Sequence, residues 1–428
     1  MNASKTHMSQ NKSRTGPVAA LDLGTTKACC LIARPETDEA SEGDMKIVGI
    51  GHQVSKGIRA GTIIDMEQAE ATIRSTVEAA EQMAEMQIRD VIVNISCGQP
   101  QSRLIAYEVS IAGHEIGDSD IRRLLNPAGM PADQDADREM LHAIPVGYSV
   151  DGNKGVRDPR GLVGDRLGVN MHTINAASGP IRNMETAIKR CHLDVSDKVI
   201  SPYASALACL SEDEIKLGVT CVDMGGGTTS ISIFFDGELV FVDSIPVGGG
   251  HVTNDIARGL STPISHAERI KTLFGSAIPT PSDDMDLIQV PLIGEEETGE
   301  VNQIPRSLLV GIVRPRIEET FELIRNRLEE TGFDKVAGRR IVLTGGASQL
   351  PGIREQAWTI LDKQARLGRP LKMPGLAEAI SGPAFSSSVG LLRYVGSRPE
   401  INSNNAYRPS EEPSGRFARL GHWLRENF

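Results

Sequence analysis

Two short segments of this chain carry residues suited to gripping a polyphosphate. Asp22 is followed by Gly24, Thr25, Thr26 and Lys27, and roughly two hundred residues later Asp223 is followed by Gly225, Gly226, Gly227, Thr228 and Thr229. Tight glycine-rich turns let backbone N–H groups converge on an anion. The threonine hydroxyls add donors, and Lys27 adds a positive charge beside the phosphates. An aspartate closing each preceding strand can hold Mg²⁺ through waters, because magnesium dehydrates reluctantly. Asp22 and Asp223 are therefore the metal candidates, and Asp223 the candidate catalytic carboxylate. Taken alone, each turn reads equally as an ordinary hairpin, where glycine is common. Repetition favours phosphate binding, because two such turns facing each other grip a triphosphate from both sides.

The elements that must position these turns repeat as well. Residues 17–22 and 28–33 form apolar runs on either side of the first turn, and 217–223 and 230–235 flank the second, so each reads as a hairpin. One repeat per half implies two related lobes with a cleft between them. A third strand-to-glycine turn, IVLTGG at 341–346, suits backbone contact with a nucleotide base. Between the repeats, residues 90–177 change texture. Strands are expected at 103–111, 143–150 and 168–176, with a helix near 119–126, which makes a small α+β insertion. Ser178 is a candidate N-cap for the next helix, with Pro180 in its first turn. Thr262-Pro263 opens a helix that Gly275 ends, residues 277–303 read as a polar stretch, and Pro315 is expected to bend or interrupt a helix over 307–331.

Composition narrows the class. The length of 428 residues exceeds a single core, and a net charge of -11 argues against a nucleic-acid binder. Six cysteines form neither a CxxC pair nor a Cys/His cluster, and most lie in apolar runs as core residues. No apolar run is long enough to span a bilayer, and residues 1–16 read as a disordered polar tail rather than a secretory signal, so a cytoplasmic location is expected. Neither a Walker A nor a GxGxxG pattern occurs.

LDLGTTK, VDMGGGTTSISIF, AERIKTLFG and IVLTGGASQLPGI resemble the phosphate-1, phosphate-2, adenosine-contacting helix and adenosine motifs of the actin-like ATPase superfamily. That resemblance implies an α/β, duplicated ribonuclease-H-like, two-lobed fold with inserted α+β subdomains, binding ATP and Mg²⁺. It implies that Asp22, Gly24, Thr25, Thr26 and Lys27 face the phosphates from one lobe, and Asp223, Gly225, Gly226, Gly227, Thr228 and Thr229 from the other. Glu268 and Lys271 would reach the ribose or base, and Gly345, Gly346 and Ser348 would line the adenosine. Many relatives place an acidic or amide residue at the head of the helix that here begins Ser201-Pro202-Tyr203. A hydroxyl is a poor substitute in positioning water, so slow or negligible hydrolysis is expected.

Within that superfamily, HAIPVGYSVDG, GLVGDRLGVNMHTI and the segment PVGGGHVTNDIARGL resemble the FtsA family of bacterial cell-division proteins. The resemblance divides the chain into subdomain 1A at 17–89 and 178–213, 1C at 90–177, 2A at 214–259 and 336–396, and 2B at 260–335. A disordered linker at 397–413 and a terminal helix at 414–428 follow. On a helical wheel Phe417, Leu420, Leu424 and Phe428 share one face with Trp423 at its border, flanked by Arg416, Arg419 and Arg425, a pattern suited to anionic membrane surfaces. The family implies tethering of the division-ring protein FtsZ to the cytoplasmic face of the inner membrane at the division site, self-association into filaments and recruitment of later division proteins. Arg314 and Arg316 are candidates for the acidic FtsZ tail, or equally for internal pairs with Glu318, Glu319 or Glu322. A sugar kinase would need a catalytic aspartate pocket between the lobes, and a chaperone ATPase a further domain. MreB-like proteins lack an insertion at this place. A PilM-like cytosolic adaptor is the nearest alternative, and the terminal helix discriminates against it.

Overall fold

The computed structural model describes residues 16–36, 45–126, 137–294, 301–335 and 338–396. The N-terminal tail, the linker at 397–413 and the terminal helix with Arg416, Phe417, Arg419, Leu420, Trp423, Leu424, Arg425 and Phe428 lie outside the described residues.

The chain opens with an antiparallel meander, β1 (Val18–Leu23), β2 (Lys27–Pro35) and β3 (Met45–Val54), then a small ladder of β4 (Ile58–Arg59) and β5 (Thr62–Ile63). Helix α1 (Met66–Ala84) follows, started by the Asp65 carboxylate, which accepts from Gln68 N at 3.1 Å. Strand β6 (Asp90–Ile95) pairs parallel to β1. The insertion comprises β7 (Gln101–Ser110), α2 (Asp118–Leu124), β8 (Arg138–Val150), β9 (Asn153–Val156) and β10 (Arg166–Ala177). The chain then runs through α3 (Ser178–Arg190), β11 (Asp194–Ile200), α4 (Ser201–Cys209) and α5 (Glu212–Leu217).

The second half repeats the first, with β12 (Val219–Met224), β13 (Thr229–Phe235) and β14 (Glu238–Ile245) as its antiparallel meander. After α6 (Gly249–Leu260) and α7 (Ile264–Phe274) come a hairpin of β15 (Leu287–Pro291) and β16 (Val301–Pro305) and the long α8 (Arg306–Thr331). Strand β17 (Arg340–Thr344), α9 (Ile353–Leu361), β18 (Gln364–Leu367) and α10 (Ser386–Gly396) complete the described chain. The two main sheets have one topology: β11-β6-β1-β2-β3 in the first lobe and β18-β17-β12-β13-β14 in the second, each three antiparallel strands joined to two parallel ones. The duplication expected from the two turns is thus present strand for strand.

Four local expectations change. Helix α3 starts at Ser178 behind Ala177, and Ser178 makes no side-chain cap; its backbone N donates instead to Asp137 O. Pro315 sits inside an unbroken α8. The carbonyl it leaves without a partner belongs to Gly311, and both residues lie on the exposed face of the helix, where water can take the bond. The polar stretch 277–303 contains β15 and part of β16, whose inward Ile288, Val290 and Ile304 sit in the second core. Finally, the stretch 336–396, read as one part of the second lobe, divides. β17, α9 and β18 complete the second lobe, but α10 crosses back to pack on α4 and β1, placing Val389, Leu391 and Leu392 in the first core.

The inserted sheet, β7-β10-β8-β9, has its own small core and leans on β14 of the second lobe. A hydrogen-bonded chain fastens that seam. Leu239 O can only accept, so His172 Nδ1 carries the proton it receives at 2.8 Å, and His172 Nε2 accepts from Ser102. Ser102 Oγ in turn accepts from Val242 N at 3.0 Å. In this arrangement the imidazole is neutral, and complete burial holds the His172 pKa down to about 4, partly offset by the Leu239 carbonyl. A depressed histidine stabilises above its unfolded pKa, and that contribution is lost as pH falls toward the folded value. Measured by urea unfolding between pH 7.5 and 5, the parent should therefore lose about 1.4 kcal/mol per pH unit below about 6.5 relative to His172→Gln. His172→Gln should remove that dependence; an unchanged pH slope in the variant would place it elsewhere.

Candidate functional site

The two glycine turns are built alike. Gly24 N donates to Lys27 O and Gly225 N to Thr228 O, both at 2.9 Å, so each turn folds over one tight loop at a hairpin end. The turns touch. A Cβ on Gly226 would lie 2.6 Å from Thr26 Cγ2, and one on Gly227 2.5 Å from Thr25 Oγ1. Only glycine permits this approach. The N–H groups of Thr25, Thr26, Gly226 and Gly227 have no backbone acceptor among the described residues, which is what an anion nest requires.

Asp22 and Asp223 occupy matching places, opposite Cys29 and Ser230 on the partner strands. Burial pushes the Asp223 carboxyl above the ordinary carboxylate range, and the nearby Asp22 charge pushes the same way. Ser205 and Ser387 hydroxyls and the Lys27 charge pull in the opposite direction. Two neighbouring carboxylates, beside turns with unpartnered N–H groups, form a donor set that fits a hydrated divalent cation and phosphate oxygens. Asp22 and Asp223 would hold the metal, and the metal would offset phosphate charge.

The remaining expected residues gather partly at this place. Gly345 has φ 83°, and a Cβ there would fall 2.3 Å from Asp223 Oδ1 and 2.5 Å from Met224 O, so the third glycine turn abuts the second carboxylate. Gly346 opens the single 3₁₀ turn that follows, and the buried Ser348 hydroxyl closes it by donating to Gly345 O at 2.8 Å. Lys271 Nζ bonds Glu268 Oε2 at 2.7 Å, Thr253 Oγ1 at 2.9 Å and Gly249 O at 3.2 Å, which ties α7 to the start of α6 beside Ala347. Lys27 finds its partners on the segment just before α10. Its ammonium donates to Ala384 O and lies 3.7 Å from the centroid of the Phe385 ring, a favourable seat for a cation.

Arg314 and Arg316 lie on α8, away from the turns, and both are paired within the chain. Arg314 Nε meets Glu318 at 2.6 Å, while Arg316 grips Asp255 of α6 through Nε at 2.6 Å and Nη2 at 3.1 Å and also contacts Glu319. The groove beside Arg314, about 440 Å³, places that arginine among Glu318, Glu322 and Glu355.

Sequence reading missed several groups of the site: Asn94, Ser205, Ser387 and Ser388. Asn94 Oδ1 accepts from Leu23 N at 2.7 Å and its amide donates to Ser201 Oγ at 3.2 Å, which fixes the hydroxyl at the head of α4. A lone asparagine inside the apolar strand VIVNI and a triple serine at a helix start were the available signals.

The geometry is that of two duplicated glycine turns meeting between related lobes, and relatives identify the lineage. The chain is 44% identical to the cell division protein FtsA of Rhizobium meliloti over 97% of its length and 96% of the relative's. The chain belongs to the FtsA family. FtsA of Pseudomonas aeruginosa and of Escherichia coli are 34% and 31% identical, each alignment covering 96% of this chain and 98% of the relative. The family profile for the cell division protein FtsA matches residues 220–390, and that of the SHS2 domain inserted in FtsA matches residues 98–175, the sheet of β7 to β10. Solved structures show the same fold at low identity. The PilM–PilN type IV pilus biogenesis complex aligns with TM-score 0.62 at 15% identity, over 90% of this chain and all of that one. MreB5 of Spiroplasma citri bound to ADP aligns with TM-score 0.52 at 14% identity, over 89% and 96%. Identity of 31% to 44% with FtsA proteins over nearly the whole chain separates it from a PilM-like adaptor, and the terminal helix expected to make that distinction lies outside the described residues.

Proposed function

We propose that this FtsA-family chain binds ATP with Mg²⁺ between its two glycine turns and tethers the division ring to the membrane. The observation that carries the nucleotide reading is the contact of the two turns above the paired carboxylates Asp22 and Asp223. Gly24, Thr25, Thr26 and Lys27 would serve one side of the phosphates and Gly225, Gly226, Gly227, Thr228 and Thr229 the other. Glu268, Lys271, Gly345, Gly346 and Ser348 would serve the nucleoside. Hydrolysis would be slow, because Ser201 offers a hydroxyl where a carboxylate would position water more strongly.

In this reading nucleotide binding closes the cleft and promotes self-association into filaments at the cytoplasmic face of the inner membrane. There the terminal residues 414–428 insert their apolar face among anionic lipids. FtsZ is held by its C-terminal tail, and later division proteins are recruited to the same surface. Contact of that tail with Arg314 or Arg316 would require the pair with Glu318 or Asp255 to open. Among the described residues no helix is long and apolar enough to cross a membrane. Attachment in this reading is peripheral, through the apolar face of residues 414–428.

Co-sedimentation with anionic liposomes, with and without FtsZ, tests the tether. The intact chain should pellet and carry FtsZ with it, while a chain ending at Ser414 should leave both in solution. Equal behaviour of the two chains would remove the membrane role and leave the nucleotide fold.

A further inference from the structure

The floor of the cleft is made of hydroxyls that belong to neither phosphate turn. Ser205 on α4 donates to Asp223 Oδ2, and Ser387 Oγ lies 3.1 Å from the same oxygen and 2.7 Å from Ser205 Oγ. Ser388, fully buried, donates to Asp22 Oδ2 at 2.7 Å. Ser387 and Ser388 form the first turn of α10, and the residues just before them, Ala384 and Phe385, seat the Lys27 ammonium. Both cleft carboxylates and the cleft lysine are thus held by one helix start, with one hydroxyl added from α4.

Hydroxyls suit this duty. They orient a carboxylate through a directed hydrogen bond but bring no charge to compete with a cation. In each aspartate the serines engage Oδ2, which fixes the plane of the carboxylate. Magnesium demands near-ideal octahedral geometry and keeps much of its water, so carboxylates that accept from its waters must be held in direction as well as in place. Partners of this outer kind commonly tune metal affinity by about 10- to 100-fold.

We propose that Ser205, Ser387 and Ser388 are positioning residues for the divalent cation that accompanies the nucleotide, orienting Asp223 and Asp22 from beneath. The inference rests on the nucleotide reading above. It predicts that the serines govern the metal-dependent part of nucleotide affinity and leave the metal-independent part alone.

The test is binding of a fluorescent ATP analogue to the full chain, titrated with MgCl₂ and repeated in EDTA, with urea unfolding of each protein alongside. Ser387→Ala should raise the Mg²⁺ midpoint by about tenfold with affinity in EDTA unchanged and the urea midpoint lowered by no more than one lost hydrogen bond, and Ser387→Thr should restore the parental Mg²⁺ midpoint. Ser388→Ala, acting through Asp22, should raise the Mg²⁺ midpoint likewise at some cost in stability, and gives a second readout should the first variant not fold. A parental Mg²⁺ midpoint in both alanine variants overturns the inference. So does an affinity loss equal in Mg²⁺ and EDTA together with lost stability, which marks a structural role alone. If the parent chain shows no Mg²⁺-dependent binding of the analogue, the nucleotide reading fails and the inference with it.

Discussion

Gly390→Ala is expected to destabilise the protein by about 3 kcal/mol or more, among the largest effects of any single methyl group in this chain. Helices α4 and α10 cross here with their backbones in contact. A Cβ on Gly390 would lie 1.7 Å from Ala204 O and 2.3 Å from its carbonyl carbon, and backbone cannot swing aside as a flexible side chain can. Relief requires the two helices to separate, and both carry core residues: Ala204, Ala206 and Ala208 from α4 and Val389, Leu391 and Leu392 from α10. Gly396→Ala at the end of the same helix meets nothing within 4 Å and should stay within about 0.5 kcal/mol of the parent. Urea unfolding of the two variants side by side decides the matter; equal midpoints would mean that the crossing is looser than described.

Asp223→Asn should separate stability from ligand binding. The free protein should not lose stability, because burial and the Asp22 charge already disfavour the ionised carboxyl, and an amide of the same shape removes that burden. Nucleotide affinity in Mg²⁺ should fall by at least about tenfold, or 1.4 kcal/mol, since an amide offers a cation no charge. The expected pattern is an unfolding temperature equal to or above the parent without ligand, and a much smaller rise on adding ATP and Mg²⁺. A full ATP-induced rise in the variant would show that Asp223 holds no metal.

How much of this was legible in the sequence follows from whether each signal was local. The paired aspartate–glycine turns were, because a hairpin with two apolar strands needs only some fifteen consecutive residues, and it recurs around Asp22 and Asp223. The inserted sheet was visible through its joints, although the short β9 was not. Signals depending on distant partners were lost. Nothing near Ser386–Gly396 says that this helix returns to the first lobe, since its apolar residues suit either core. The serines of α10 acquire a role only through Asp22 and Asp223. Pro315 looked like a break because local rules ignore which face of a helix meets water. The contacts of Lys27 with Ala384 and Phe385 were equally out of sight, because those residues lie 357 and more positions away.

The return of α10 also governs when the first lobe can fold. Its core begins with β1, among the first residues described, yet is closed by side chains of the last described helix, and the bond between Asp22 and Ser388 spans 366 positions. Closing so long a loop precedes the reward of its contacts, which slows folding. On the ribosome, therefore, the first sheet emerges early but keeps an uncovered apolar side until α10 has followed, while the second lobe is being made. Such an intermediate is exposed to aggregation. A chain that stops before Ser386 would be caught in that state permanently, with the face that α10 covers left open.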